Sequence, residues 1–268
     1  MANPNISPSW THQLTGTRYK VDVSLESPLD FFGYDPDDSD ALLDSIDPNL
    51  VSGPLDQYHA NLSPQTSLFL DHLDYASSVN VIRETAADDF LGELLDVAGY
   101  EEYGLRLRHC QNISLAIYDG LSPQGRLHNV QANLCLVKRY TVLLVVLQTP
   151  LEHDPHSPVI AAAIAAFQTN NRERGNVGLP PLDEMVVPCI AMTGTRPAFY
   201  KVPVTTALNY SVVTSHYATA TTNVVCCRVP PRRATEGMES PIYRKKALKH
   251  IVAFRGLAKS LWQNFLVQ

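Results

Sequence analysis

NVQANLCLVKRYTVLLVVLQTPLEHD, residues 129–154, reads as two strands joined by a short polar turn. In the first, Val130, Ala132, Leu134 and Leu136 alternate with Asn129, Gln131, Asn133 and Cys135. That is the two-residue period of a strand with unlike faces. The second, Val142 to Leu147, is apolar throughout, as expected of a strand covered on both faces. The apolar run stops at Gln148, and Pro150, which lacks a backbone donor, favours a strand end there.

Working outward, VIRETAADDFLGELLDVAGY (81–100) sets Ala87, Phe90, Leu91, Leu94, Leu95 and Ala98 at helical spacing, with Gly99 as a stop. Strands are expected at Gly104–Arg108, Ile113–Tyr118, 129–137 and 142–148. A helix then opens with Ser157 as N-cap and Pro158 in its first position, and runs to Gly175. Met185–Met192 and Ala198–Val204 read as strands about the turn TGTRP (193–197), and TNVVCCRV (222–229) as another. A last helix, from Pro241 to Leu266, turns Ala247, Leu248, Ile251, Phe254, Leu257, Ala258, Leu261 and Phe265 inward. Helix, three or four strands, helix, strand predicts an α/β domain with a mixed central sheet flanked by helices, an order similar to the restriction-endonuclease-like core.

The chain has 268 residues, 45% of them apolar and 18% charged. Its net charge of −6 hides a division. Residues 1–80 carry twelve acids and two bases, and residues 81–268 carry fifteen acids and nineteen bases. The first part is rich in Pro, Ser, Asp and Asn, a composition that buries too little apolar area to offset ordering entropy. We therefore expect a flexible acidic region over 1–80, with one short helix at 67–76, and the folded domain over 81–268. The N-terminus has no basic start followed by an apolar block, so no secretory signal is expected, and no run is long enough to span a bilayer. Cys110, Cys135, Cys189, Cys226 and Cys227 show no C-x-x-C spacing. They read as free thiols of a reducing compartment, cytoplasmic or nuclear. Nucleophile-elbow, Walker A, dinucleotide and H-E-x-x-H patterns are absent.

RETAADDFLGELLDVAGYE (83–101), PCIAMTGTRPAFYKVPVT (188–205) and GMESPIYRKKALKHIVAFRGLAKSLWQNFL (237–266) resemble an uncharacterised family of proteins abundant in mushroom-forming basidiomycete fungi. The similarity covers roughly residues 80–266. Many members of that family keep an Asp on the third core strand and a Glu-x-Lys at the end of the fourth, a pattern similar to PD-(D/E)xK nucleases. On this chain the Asp falls on Asn133, and the Glu-x-Lys on Thr149-Pro150-Leu151, directly after Gln148. The resemblance thus implies a nuclease-like core with degenerate positions at Asn133, Gln148, Thr149 and Leu151.

Metal-dependent phosphodiester cleavage needs hard carboxylate oxygens to hold Mg²⁺ and a lysine to steady transition-state charge. An amide, a hydroxyl and an aliphatic chain supply neither, so no cofactor is expected. An active alternative, with Mg²⁺ or Mn²⁺, needs relocated ligands, Glu84 or Glu93 of the first helix with Glu152 or Asp154. The loop LEHDPHSP (151–158) adds His153 and His156, and reads otherwise as a polar lead into a helix cap.

From Arg228 to Lys259 there are nine bases and two acids. Lys245, Lys249 and Lys259 fall on the polar side of the last helix, and with Arg196, Arg232 and Arg233 they are the candidate phosphate contacts. The expected function is a non-hydrolytic, nuclease-like protein that binds nucleic acid or a protein partner, with no membrane role. The alternatives are the active nuclease and a protein-interaction module with no nucleic-acid role. The sequence specifies no oligomeric state.

Overall fold

The apolar strand that decides the sequence reading is buried from Val142 to Leu147, and the sheet extends from it in both directions. A computed structural model describes residue 14 and residues 18–55, 62–78, 83–117, 126–149, 155–233, 236–263 and 265–266. In chain order the elements are β1 (Val21–Leu25), α1 (Pro28–Phe32), α2 (Pro48–Ser52), α3 (Pro64–Ser77), α4 (Arg83–Val97), β2 (Arg106–Ile117), β3 (Arg126–Lys138) and β4 (Thr141–Thr149). They continue with α5 (His156–Asn176), β5 (Glu184–Thr193), β6 (Arg196–Thr205), α6 (Thr206–Thr214), β7 (Thr222–Arg228) and α7 (Pro241–Trp262).

The seven strands form one sheet in the order β1-β7-β6-β5-β4-β3-β2. β2, β3 and β4 are an antiparallel meander. β4 and β5 are parallel, with α5 as the crossover that a parallel pair requires. β5, β6 and β7 return antiparallel, and β1 adds parallel to β7. The α/β class and the mixed, helix-flanked sheet are as the sequence predicts. No helix among the described residues is long and apolar enough to cross a membrane.

Helix α5 is apolar on every side: each residue from Val159 to Phe167 is fully buried. A helix covered all round needs a layer on its second face, and the β2–β3 hairpin supplies it. Cys110 of β2 sits opposite Asn133, between the pairs His109↔Leu134 and Gln111↔Ala132, with φ at 47°. This left-handed step breaks the ladder and bends the hairpin. Two neighbouring amides of α5 show where the bend leads. Asn170 pairs with both backbone groups of Val142, at the start of β4, at 2.8 Å each. Gln168 pairs with both backbone groups of Ala116, near the end of β2, at 2.7 and 3.1 Å. Strand segments far apart along the sheet therefore meet one turn of α5.

The expected boundary at residue 80 is corrected. Residues 21–25 form a sheet strand, and Tyr19, Val21, Phe31, Leu50, Phe69 and Leu73 are buried in the same core as β4. α3 is the helix expected at 67–76, extended to 64–77 and packed on α4. Buried Arg244 of α7 donates to the carbonyls of Val51 and Gly53, which ties α2 to the C-terminal helix. The composition of 1–80 misleads because its sparse apolar residues find partners far along the chain. Three local readings also change. The strands at 104–108 and 113–118 are one bent β2, α6 follows β6 unforeseen, and α5 begins at His156 with Ser157 buried inside it.

Candidate functional site

Where β3 and β4 stop pairing, a side chain replaces the ladder. The last backbone rung is Leu134↔Val146. One step on, the backbone N–H of Gln148 donates to Asn133 Oδ1 at 2.6 Å. Asn133 Nδ2 donates to Asp88 Oδ1 of α4, also at 2.6 Å. Gln148 in turn donates from Nε2 to the carbonyl of Gly194 in the β5–β6 turn at 3.1 Å, and its Oε1 is buried with no partner among the described residues. Thr149 is buried, with its hydroxyl 3.2 Å from the carbonyl of Met192 and 3.0 Å from Thr193 Oγ1. The node thus joins α4, β3, β4 and the β5–β6 turn, and Cys110 and its bend lie directly across β3 from Asn133.

The partners fix which way the Asn133 amide points. A carboxylate only accepts and a backbone N–H only donates, so Nδ2 faces Asp88 and Oδ1 faces Gln148. An aspartate at 133 would meet the Asp88 carboxylate at hydrogen-bond distance, an arrangement two ionised groups do not share. Asparagine is therefore the residue whose chemistry fits this node. Gly92, one turn beyond Asp88, lets the His109 ring lie close against α4: a Cβ there would be 2.8 Å from His109 Cε1.

The expected substitute ligands do not gather here. Glu93 is half-buried, with its carboxyl pushed up by burial and held back by His72 of α3, so it looks toward the α3–α4 contact. Glu84 lies in the first turn of α4, but its side chain is outside the described residues, as are Leu151, Glu152, His153 and Asp154. Among the described residues, the grouping with metal-ligand spacing is elsewhere: Asp35, Asp37 and His250. Its charge is already balanced, since Lys246 Nζ is 2.8 Å from Asp37 Oδ2 and Lys249 donates to the Asp37 carbonyl at 2.7 Å. A dication would enter beside two ammonium groups, so this cluster does not fit a metal.

Each of the lysines read as phosphate contacts meets a carboxylate, and the fold brings Lys245 and Lys249 to the same one. Lys245 and Lys249 both reach Asp40 Oδ1, at 3.0 and 2.8 Å, across a cavity of about 490 Å³ that Val51, Ile242 and Lys246 also line. The Asp40 carboxyl is held down to about 2, first by its hydrogen bonds to Lys249 and Lys245. Lys259 pairs with Glu102 at 2.6 Å. Arg196 opens β6 opposite Thr193. Arg232 and Arg233 are exposed in the loop before α7, where the Arg232 N–H donates to Glu236 at 2.7 Å. Of the six, Arg196 adjoins the Asn133 node through the β5–β6 turn, whereas Lys245 and Lys249 face Asp40 of the acidic segment. The acidic segment supplies the counter-ions for α7, a role that local charge counting cannot assign.

Asp88 is the site residue that the sequence reading missed. Its signal was available: it precedes Leu91 by three residues and Leu95 by seven, so it borders the buried stripe of α4. No protein-family model matches this chain, and no curated protein matches it.

Proposed function

We propose that the chain is a non-hydrolytic protein on a restriction-endonuclease-like frame, acting by binding and not by metal-dependent cleavage. Two things support the frame. The run α4-β2-β3-β4-α5-β5 has an antiparallel meander followed by a parallel strand, and Asn133 of β3 lies beside Gln148 near the end of β4, where the β3–β4 ladder stops. The observation that carries inertness is the Asn133 amide, with both polar atoms engaged by protein groups. A position that hands a donor to Asp88 and an acceptor to Gln148 offers no anionic oxygen to a divalent ion. The ligand of this binding role is proposed as nucleic acid. The five free thiols, four of them buried, fit the reducing compartment proposed for it.

Calorimetric titration of the full chain with Mg²⁺ and Mn²⁺, paired with a plasmid-cleavage assay, tests this reading. The expected result is no saturable heat and no EDTA-sensitive cleavage. Saturable binding with cleavage that Glu152→Gln or Asp154→Asn abolishes would instead establish the nuclease with relocated ligands.

A further inference from the structure

We propose that the end of the sheet formed by the β3–β4 turn and the start of β2 binds single-stranded nucleic acid, with Tyr103 and Tyr140 stacking on bases and Arg106, Arg108, Lys138 and Arg139 meeting phosphates. The register brings the strand residues to one end of the sheet, with Arg106 and Arg108 on one face and Lys138 on the other. Arg106 pairs with Val137, next to Lys138, and Lys138 pairs with Thr141 across the turn residues Arg139 and Tyr140. Tyr103 lies three residues before Arg106, at the tip of a turn closed by Leu105 N–H to the Glu102 carbonyl at 2.9 Å.

Three observations separate this end from the rest of the surface. The first is open charge. All four cations are exposed, and none is ion-paired among the described residues, whereas Lys245, Lys246, Lys249 and Lys259 each meet a carboxylate. The nearest acids in the chain are occupied: Glu101 accepts the Leu107 N–H at 2.8 Å, and Glu102 holds Lys259. Glu184 opens β5, on the far side of β4.

The second is open aromatic surface. Tyr103 is fully exposed and Tyr140 is 73% exposed. Of the other exposed tyrosines, Tyr210 stacks on His216 and Tyr217 lies under the Arg18 guanidinium, whereas Tyr75, which is open as well, stands on α3 next to Asp74 and not among cations. Tyr103 and Tyr140 have no ring or cation partner among the described residues.

The third is backbone strain at the turn. Arg139 has φ at 55°, in a two-residue hairpin turn that ordinarily holds Asn or Gly. A branched-chain-free glycine would relieve the left-handed geometry. Keeping Arg-Tyr there presents a cation and a ring at the tip instead, and strained positions of this kind gather where side chains have work to do.

Cations with interleaved aromatic rings suit a strand whose bases are unstacked, because a duplex offers its phosphates but not its base faces. An acidic protein would use the cations and leave the rings idle. The inference rests on the proposed binding role but not on the nuclease likeness, since none of these rings or cations takes part in the Asn133 hydrogen bonds. A metal-positive titration would sink that likeness and leave this surface standing.

Fluorescence anisotropy of the full chain with a labelled oligothymidylate tests it. Four phosphate contacts give a log–log salt slope near −3, about a twenty-fold loss of affinity when salt is tripled. Tyr103→Ala and Tyr140→Ala should each weaken binding about fivefold or more at an unchanged slope. Arg139→Gly should reduce the slope by about 0.7 while raising the melting temperature, which shows that the fold survives. Absence of binding at low salt, indifference to both tyrosine substitutions, or equal affinity for a matching duplex or for polyglutamate would overturn the proposal.

Discussion

The side chain of Asn133 stands in for a strand carbonyl, accepting the Gln148 N–H at 2.6 Å while its Nδ2 donates to Asp88 at the same distance. One amide thus closes the β3–β4 ladder where the hairpin bends and anchors α4 to it. The consequence is energetic before it is functional. Neither an apolar side chain nor a carboxylate can serve both partners.

Asn133→Ala should therefore cost about 2–4 kcal/mol of stability, because it leaves a half-buried N–H and a carboxylate oxygen without their partner. Urea unfolding monitored by circular dichroism measures this. A loss below about 0.5 kcal/mol would mean that water replaces the amide at no expense.

Deleting residues 1–80 should abolish cooperative folding. The deletion strips β1 from β7, removes Phe31, Leu50 and Phe69 from the core, and leaves Arg244 without the Val51 and Gly53 carbonyls. Residues 81–268 should show no sigmoidal thermal transition. A fragment melting with its own sharp midpoint would restore the boundary that the composition suggests.

Acid should loosen the clasp between Asp40 and α7. The folded carboxyl is drawn down to about 2 by Lys249 and Lys245, below the ordinary value of about 3.9. Its contribution is complete above the unfolded value and fades as pH falls toward the folded one. Asp40→Asn should then melt below the wild type at pH 6, and the two curves should converge near pH 2. A gap that persists at pH 2 would mean that the pairing does not set it.

Thiol chemistry should distinguish one cysteine from four. Burial pushes Cys135 and Cys227 up to about 12, and raises Cys189 and Cys226 as well, whereas Cys110 is exposed. Ellman's reagent at pH 8 should label one thiol per native chain and five in denaturant, and Cys110→Ser should remove the native signal.

The sequence reading located most of the frame because its elements carry local signals. The all-apolar β4, the stripe of α4 and the apolar run of α5 each announce themselves within a dozen residues. What it missed depends on distant partners. β1 is five residues long and gains its place from β7, about two hundred residues away. The bend at Cys110 has no glycine to mark it, so β2 read as two strands. At the site, Asn133 and Gln148 were legible as departures from a pattern, but Asp88 was not. Only the folded pairing shows that the asparagine has a donor's task that an aspartate could not perform. Charge counting likewise found the α7 lysines and overlooked Arg106, Arg108, Lys138 and Arg139. These lie some thirty residues apart in the chain and meet only through the β2–β3 register.

The central claim, that the Asn133 node is a structural hydrogen-bond junction and not a metal site, is tested most directly by thermal melting of the wild type and Asn133→Asp with and without Mn²⁺. The account predicts that Asn133→Asp melts lower at pH 7, that the deficit narrows as pH falls and one carboxyl takes a proton, and that Mn²⁺ shifts neither protein. A rise in the wild-type melting temperature with Mn²⁺, or full rescue of Asn133→Asp by it, would contradict the claim.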